Sequence, residues 1–272
     1  MSDIFEEIVA LRRRGEPAAL CTITSTAGST PGKASMKMLV RADGSFVGTV
    51  GGGCVEAEVY AAAQEVLHTG ESKRLAFALN ERDYPDSGLI CGGKVEIFIE
   101  AVTDPTLVLF GAGHISSSVA QVAKLAGFRV VVGDEREAFA TRERFPDAEE
   151  VVAAPWAEQV ARLGSAEHAF LVVVTRGHID DGTVLEALFR AGAKPRYLGM
   201  IGSRAKRKVL FDQLRERGVD PRWLAAVRSP TGLALGARTH GEIAVAIVAQ
   251  LIALRRLGSL DPRPDGEPGE PQ

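Results

Sequence analysis

Over the first hundred residues the apolar positions fall in short runs or alternate in steps of two. Residues 19–25, 36–40, 46–50, 74–79 and 94–102 each show this pattern and are predicted as strands. Gly28-Ser-Thr-Pro-Gly32 marks a loop and Arg41-Ala-Asp-Gly44 a hairpin turn. One stretch breaks the period. From 54 to 67, Val55, Val59, Ala62, Ala63 and Val66 recur at helical spacing. A loop containing Asp83-Tyr-Pro-Asp-Ser-Gly88 precedes the last strand, and Asp104-Pro105 is the natural boundary.

Beyond that boundary strands alternate with helices. Strands are predicted at 106–110, 129–133, 169–175 and 197–201, and helices at 115–126, in a region after Arg136, at 181–191 and at 204–217. Such alternation implies parallel pairing through crossover helices. The expected fold class is α/β: an N-terminal mixed α+β domain over 1–103, followed by a Rossmann-like, doubly wound parallel-sheet domain over 104–257. A last apolar helix, 241–257, is interrupted by Gln250 and is too short to cross a bilayer; it is free to dock on either domain. Residues 258–272 carry Pro262, Pro264, Pro268 and Pro271 among acids and glycines, the composition of a disordered tail.

Composition narrows the classes. The chain has 272 residues, 46% hydrophobic and 25% charged, as a folded domain requires. Its 35 acidic and 32 basic residues leave a net charge of −3, which gives no whole-surface attraction to nucleic acid or anionic lipid. Three cysteines cannot all pair, and the start, Met1-Ser-Asp-Ile-Phe-Glu-Glu, lacks the basic segment of an export signal. The expectation is a reducing, cytoplasmic setting with no disulfide scaffold. Glycine, at 29 residues, exceeds the usual share of about 7%. It gathers beside Cys54 and Cys91.

Two loops carry candidate chemistry. In Leu107-Val-Leu-Phe-Gly-Ala-Gly-His-Ile-Ser116, Gly111 and Gly113 follow a strand and open a helix, the context in which free N–H groups receive a pyrophosphate. Asp134, at the end of the next strand, stands where a ribose hydroxyl partner belongs, so a nucleotide such as NAD(P) is a candidate ligand. Ser116 replaces the third glycine. His114 either faces a ligand or caps its own helix. In the first domain, Gly51-Gly-Gly-Cys54-Val-Glu56 joins a strand to a helix. Successive glycines can turn N–H groups inward to form an anion cradle, and a thiol in a first helical turn is favoured as thiolate, the nucleophile and soft-metal ligand. Cys91, in Ile90-Cys-Gly-Gly93-Lys94, is placed similarly, whereas Cys21 lies within a strand as a core residue. No zinc-ligand spacing accompanies these cysteines.

These strings, with Thr175-Arg-Gly-His178, Gly199-Met-Ile-Gly-Ser203-Arg and Ser229-Pro-Thr-Gly232, resemble the xanthine dehydrogenase accessory protein family, XdhC/CoxI. The resemblance runs to about Leu257. It departs at Ser116 and at Thr239-His-Gly241, where the family usually has Thr-Pro-Glu. The resemblance implies a chaperone, not itself a hydroxylase. Such a protein binds molybdenum cofactor (molybdopterin), protects it while a cysteine desulfurase replaces an oxo ligand with sulfur, and inserts it into the apoenzyme of a molybdenum hydroxylase such as xanthine dehydrogenase. The candidates for that cargo are Gly51, Gly52, Gly53, Cys54, Glu56, Cys91, Gly92 and Gly93, with Cys54 and Cys91 as molybdenum or sulfur-carrier thiols. The rival function is an NAD(P)-dependent oxidoreductase built on the second domain.

Two further positions have a plain reading beside a functional one. Arg176 and His178 follow a strand at the sheet edge where ligands collect; alternatively Asp180 caps the next helix and Arg176 pairs with it. Ser203 is a good cap, but the basic residues of Ser203-Arg204-Ala-Lys-Arg-Lys208 oppose the helix dipole unless an anion or carboxylates offset them. Phosphate or partner contact is the candidate role there, and a homodimer through the apolar last helix is left open.

Overall fold

The computed structural model describes residues 3–79, 93–163 and 166–258. The chain divides into two compact units, Met1–Asp104 and Pro105–Gln272. The loop expected around Asp83 to Gly88, and the tail beyond Gly258, lie outside the described residues.

The first unit is a five-stranded antiparallel sheet, made of β1 (Ala18–Ala27), β2 (Lys37–Arg41), β3 (Phe46–Gly48), β4 (Lys73–Ala78) and β5 (Lys94–Ala101) in the order β3-β2-β1-β5-β4. The Arg41–Gly44 turn closes β2 onto β3 through Gly44 N–H to Arg41 C=O, 3.0 Å. Alternation along β1 decides which helix covers which face. Ala19, Cys21 and Ile23 pack with Val55, Val59, Ala63 and Val66 of α2 (Gly53–Thr69). Ala18 and Leu20 turn to the other face and meet Leu11 of α1 (Ile4–Arg14). That first helix precedes the strands read from the sequence. Asp3 caps it, Glu6 and Glu7 lie in its first turn, and Arg12 to Arg14 lie in its last, the charge order that the helix dipole favours. Cys21 is fully buried, and burial pushes its thiol up to about 12, the state of an inert core residue.

The second unit has an all-parallel sheet, β6 (Thr106–Phe110), β7 (Arg129–Asp134), β8 (Glu150–Ala153), β9 (Phe170–Val173) and β10 (Tyr197–Met200), in the order β10-β9-β6-β7-β8. This is the doubly wound order, with the connection reversing at β6. Leu107 and Leu109 face α3 (His114–Leu125) and α8 (His240–Leu257). Val108 and Phe110 face the layer of α4 (Trp156–Ala161), α5 (His178–Arg190), α6 (Arg204–Glu216) and α7 (Pro221–Ala226). The last helix therefore packs within this unit. Gln250, the polar break in it, is buried. It accepts from the Tyr197 hydroxyl at 2.6 Å and from the Gly232 N–H at 2.8 Å, which ties α8 to the segment beside β10.

The expectation of a helix after Arg136 is corrected. Residues 135–149 form isolated turns, such as Phe139 N–H to Arg136 C=O and Arg144 N–H to Thr141 C=O. Pro146 removes a donor, and a residue before proline, here Phe145, is disfavoured in helical backbone. The chain then adds the short edge strand β8, and the helix comes only at α4.

Candidate functional site

Three glycine motifs distant in sequence meet in the first unit. Gly51 has φ +121°, and a Cβ there would lie 2.8 Å from Gly32 N. At Gly93 a Cβ would lie 2.7 Å from Thr30 Cγ2 and 2.8 Å from Ala27 O. The loop of residues 28–32 is thus clasped by the turn before α2 on one side and by the entry to β5 on the other. Backbone packing alone requires Gly51 and Gly93 to be bare. Gly52 and Gly53 differ, since a Cβ at either would meet no atom within 4 Å. Cys54, the second residue of α2, is exposed beside them. Cys91 and Gly92 lie outside the described residues.

The turn does not present an empty anion cradle. One carboxylate oxygen of Glu56 accepts from Thr49 Oγ1 at 2.5 Å, from Val50 N–H at 3.2 Å and from Gly52 N–H at 3.3 Å. That oxygen of Glu56 acts as an internal anion that neutralises the turn and fixes the helix start. The remaining surface is a bare backbone step at Gly52 and Gly53 with a free thiol next to it. Among the described residues no three His, Cys, Asp or Glu side chains gather to hold a metal ion.

In the second unit Gly111 leaves β6 with φ +117° and packs against Val174 and Thr175. Gly113 caps α3 with ordinary backbone angles and open space around it. Asp134 is engaged by its own loop and by Arg136. It is 2% exposed, and its carboxylate accepts from Ala112 N–H (2.8 Å), Arg136 N–H (3.0 Å) and both ends of the Arg136 guanidinium (2.8 Å each). A nucleotide sugar would have to displace one of these donors. Arg136 in turn lies over the Phe139 ring, 3.7 Å from its centroid. Ser116 is fully buried and its hydroxyl has no partner, at the place where a third glycine would bring helix and strand together.

Burial alone would raise the Asp134 pKa, but the hydrogen bonds and charge of Arg136 and the Ala112 N–H outweigh it and lower the value. A carboxylate with a depressed folded pKa stabilises the fold above its unfolded value, near 3.9. The contribution is lost as pH falls through the lower, folded value. Asp134→Asn is therefore expected to cost about 1–2 kcal/mol at pH 7 and progressively less as pH falls below 4. Thermal melts of both proteins across that range check it.

His114 neither caps α3 nor stands alone. Its ring is stacked on His240, the first residue of α8, with centroids 5.6 Å apart and planes 1° from parallel. His240 stands where the family usually has proline, and that departure is its mark in the sequence. Arg176 pairs with Asp180 at 2.8 Å. Asp180 does not cap α5, whose cap is Gly177, and His178 opens that helix. The buried group here is Asp181, fully inaccessible, held by Thr175 Oγ1 at 2.5 Å and Lys206 Nζ at 2.8 Å. Nothing at sequence level points to it, because its cation comes from another helix. Ser203 caps α6 by accepting from Lys206 N–H at 3.2 Å, and Arg204 begins that helix.

The molecule thus comprises a Rossmann-type domain preceded by an α+β domain that presents a thiol on a glycine turn. The family description "XdhC Rossmann domain" matches residues 107–251, and "XdhC and CoxI family" matches residues 11–78. The chain belongs to the XdhC/CoxI family. It is 34% identical to the uncharacterized protein YqeB of Escherichia coli K12 over 93% of this chain, but spans only 46% of that relative's length. It is 25% identical to a probable xanthine dehydrogenase subunit of Bacillus subtilis 168, over 94% of this chain and 98% of the relative. It is 24% identical to the "Molybdenum cofactor insertion chaperone PaoD" of E. coli K12, over 89% and 84%. Among the described residues no helix is long and apolar enough to cross a membrane.

Proposed function

We propose that the chain is an accessory chaperone that takes molybdenum cofactor as cargo, keeps it during sulfuration by a cysteine desulfurase, and inserts it into a xanthine dehydrogenase-like hydroxylase in the cytoplasm. The observation that carries this reading is the convergence of residues 28–32, the turn before α2 and Gly93 beside one exposed thiol, Cys54. Supporting it are the family membership and the role that PaoD's name describes. The bare step at Gly52 and Gly53 gives a flat pterin close access to backbone, and Cys54 supplies a soft donor for molybdenum or a site for transferable sulfur. The oxidoreductase reading is the weaker one, because Asp134, which it needs for the ribose, is committed to the loop and to Arg136.

The test is anaerobic incubation with excess molybdenum cofactor, gel filtration, and oxidation of what co-elutes to a fluorescent pterin. Wild type is expected to retain pterin in a fixed ratio to chain. Cys54→Ser, an exposed change, is expected to melt as wild type does yet to retain at least tenfold less, or to lose activation of the apo-hydroxylase. Absence of pterin in the wild-type peak would overturn the carrier role; undiminished retention and activation by Cys54→Ser would overturn the thiol's part in it.

A further inference from the structure

Helix α6 carries a basic stripe that the cargo site does not use. Arg204, Arg207, Lys208 and Arg215 lie on one side of the helix and line a groove of about 300 Å³ together with Phe211 and Asp212. Ser229, from the segment beside β10, closes it. Arg215 is neutralised by Asp212 at 2.6 Å. Lys206 points away to Asp181. Arg204, Arg207 and Lys208 are left with no carboxylate partner among the described residues, within the first five positions of a helix that has no acid in its first turn. Cations at the positive end of a helix dipole are unfavourable unless an anion sits among them.

Two features show that the groove is more than a solvated face. The Arg207 guanidinium lies over the ring of Phe211, 5.0 Å from its centroid, and that residue is only 4% exposed, so the fork is held in place. Ser229 is 7% exposed and its hydroxyl has no hydrogen-bond partner, a cost the fold leaves uncompensated. Two guanidinium forks and an ammonium bordering one small groove match a tetrahedral oxyanion better than the spaced carboxylates of an acidic peptide.

We infer that this groove is a phosphoryl-binding site for a small phosphorylated molecule, separate from the glycine loop at Gly111–Gly113 and independent of the cargo reading. The probes are inorganic phosphate, pyrophosphate and a nucleoside diphosphate, titrated by calorimetry at constant ionic strength. Saturable binding of pyrophosphate is expected. A triple variant, Arg204→Gln with Arg207→Gln and Lys208→Gln, is expected to weaken it at least tenfold while keeping the wild-type melting temperature. Gly113→Asp, which places a carboxylate in the other loop, is expected to leave pyrophosphate binding unchanged. Tighter binding of the nucleoside diphosphate than of pyrophosphate would identify a nucleotide as the source, and equal binding the phosphoryl group alone. No saturable binding, binding that survives the triple variant, or binding abolished only by Gly113→Asp would overturn the site, as would equal binding of a poly-glutamate peptide.

Discussion

Lys206→Met is expected to destabilise the second unit by about 2–3 kcal/mol and to lower its melting temperature by roughly 5–10 °C. Asp181 is fully inaccessible, and among the described residues its charge is met only by Lys206 at 2.8 Å and the Thr175 hydroxyl at 2.5 Å. Methionine keeps the apolar stem but strands the carboxylate without a cation. The figure is set at the low end for a broken buried pair because Lys206 itself remains 31% exposed, which admits water to its partner. Asp181→Asn in the same background removes the stranded charge and is expected to recover part of the loss, giving a coupling of about 2 kcal/mol in a double-mutant cycle. A single variant that melts within 1 °C of wild type would show that the pair carries no such weight. The bond joins the first turn of α5 to that of α6, both at the carboxyl end of the parallel sheet. The same change therefore loosens the start of the helix that carries Arg204 and Arg207.

What the sequence makes legible follows from the range of the interactions involved. The runs Leu107 to Phe110 and Phe170 to Val173 are apolar on both faces because both faces are covered, and this marks β6 and β9 as central strands of a parallel sheet. The edge strand β8 shows no such run: Glu150 and Ala153 are exposed and only Val151 and Val152 are half-buried. Two short elements, α4 and α7, escape for a similar reason, each offering few apolar turns to a periodicity argument, whereas Ile4, Ile8 and Leu11 of α1 do recur at helical spacing. The site is legible to a different depth. Glycine strings announce turns, but the tasks divided among their members depend on which backbone lies opposite, and only the fold places Gly32 against Gly51 or Thr30 against Gly93. His114 and His240 meet across 126 positions, and Asp181 and Lys206 across 25. Glu56 is the instructive case. The sequence shows an acid in a loop fit for an anion, and the fold shows that the acid is that anion.

Gly111→Ala is expected to cost about 3–5 kcal/mol, lowering the melting temperature by roughly 10 °C or leaving the second unit unfolded in expression. At φ +117° an L side chain is strained whatever the space available, and here there is none. A Cβ would lie 2.6 Å from the carbonyl carbon of Val174 and 2.9 Å from Thr175 Cα, both main-chain atoms of the segment leaving β9. Relief requires β6 and β9 to part, against the Val174 N–H to Phe110 C=O bond of 2.8 Å. Gly113→Ala is the control two residues away. Its φ is −79° and nothing lies within 4 Å of the added methyl, so only the poorer N-cap preference of alanine counts, and its stability is expected to change by no more than about 1 kcal/mol. Equal losses at the two positions would mean that the loop is rigid as a whole and that the distinction drawn from its geometry is wrong. Unequal losses, large at Gly111 and small at Gly113, would separate the two demands made on one motif. The first glycine lets the strands of the sheet close on each other, and the second keeps the helix N-terminus open to whatever approaches it.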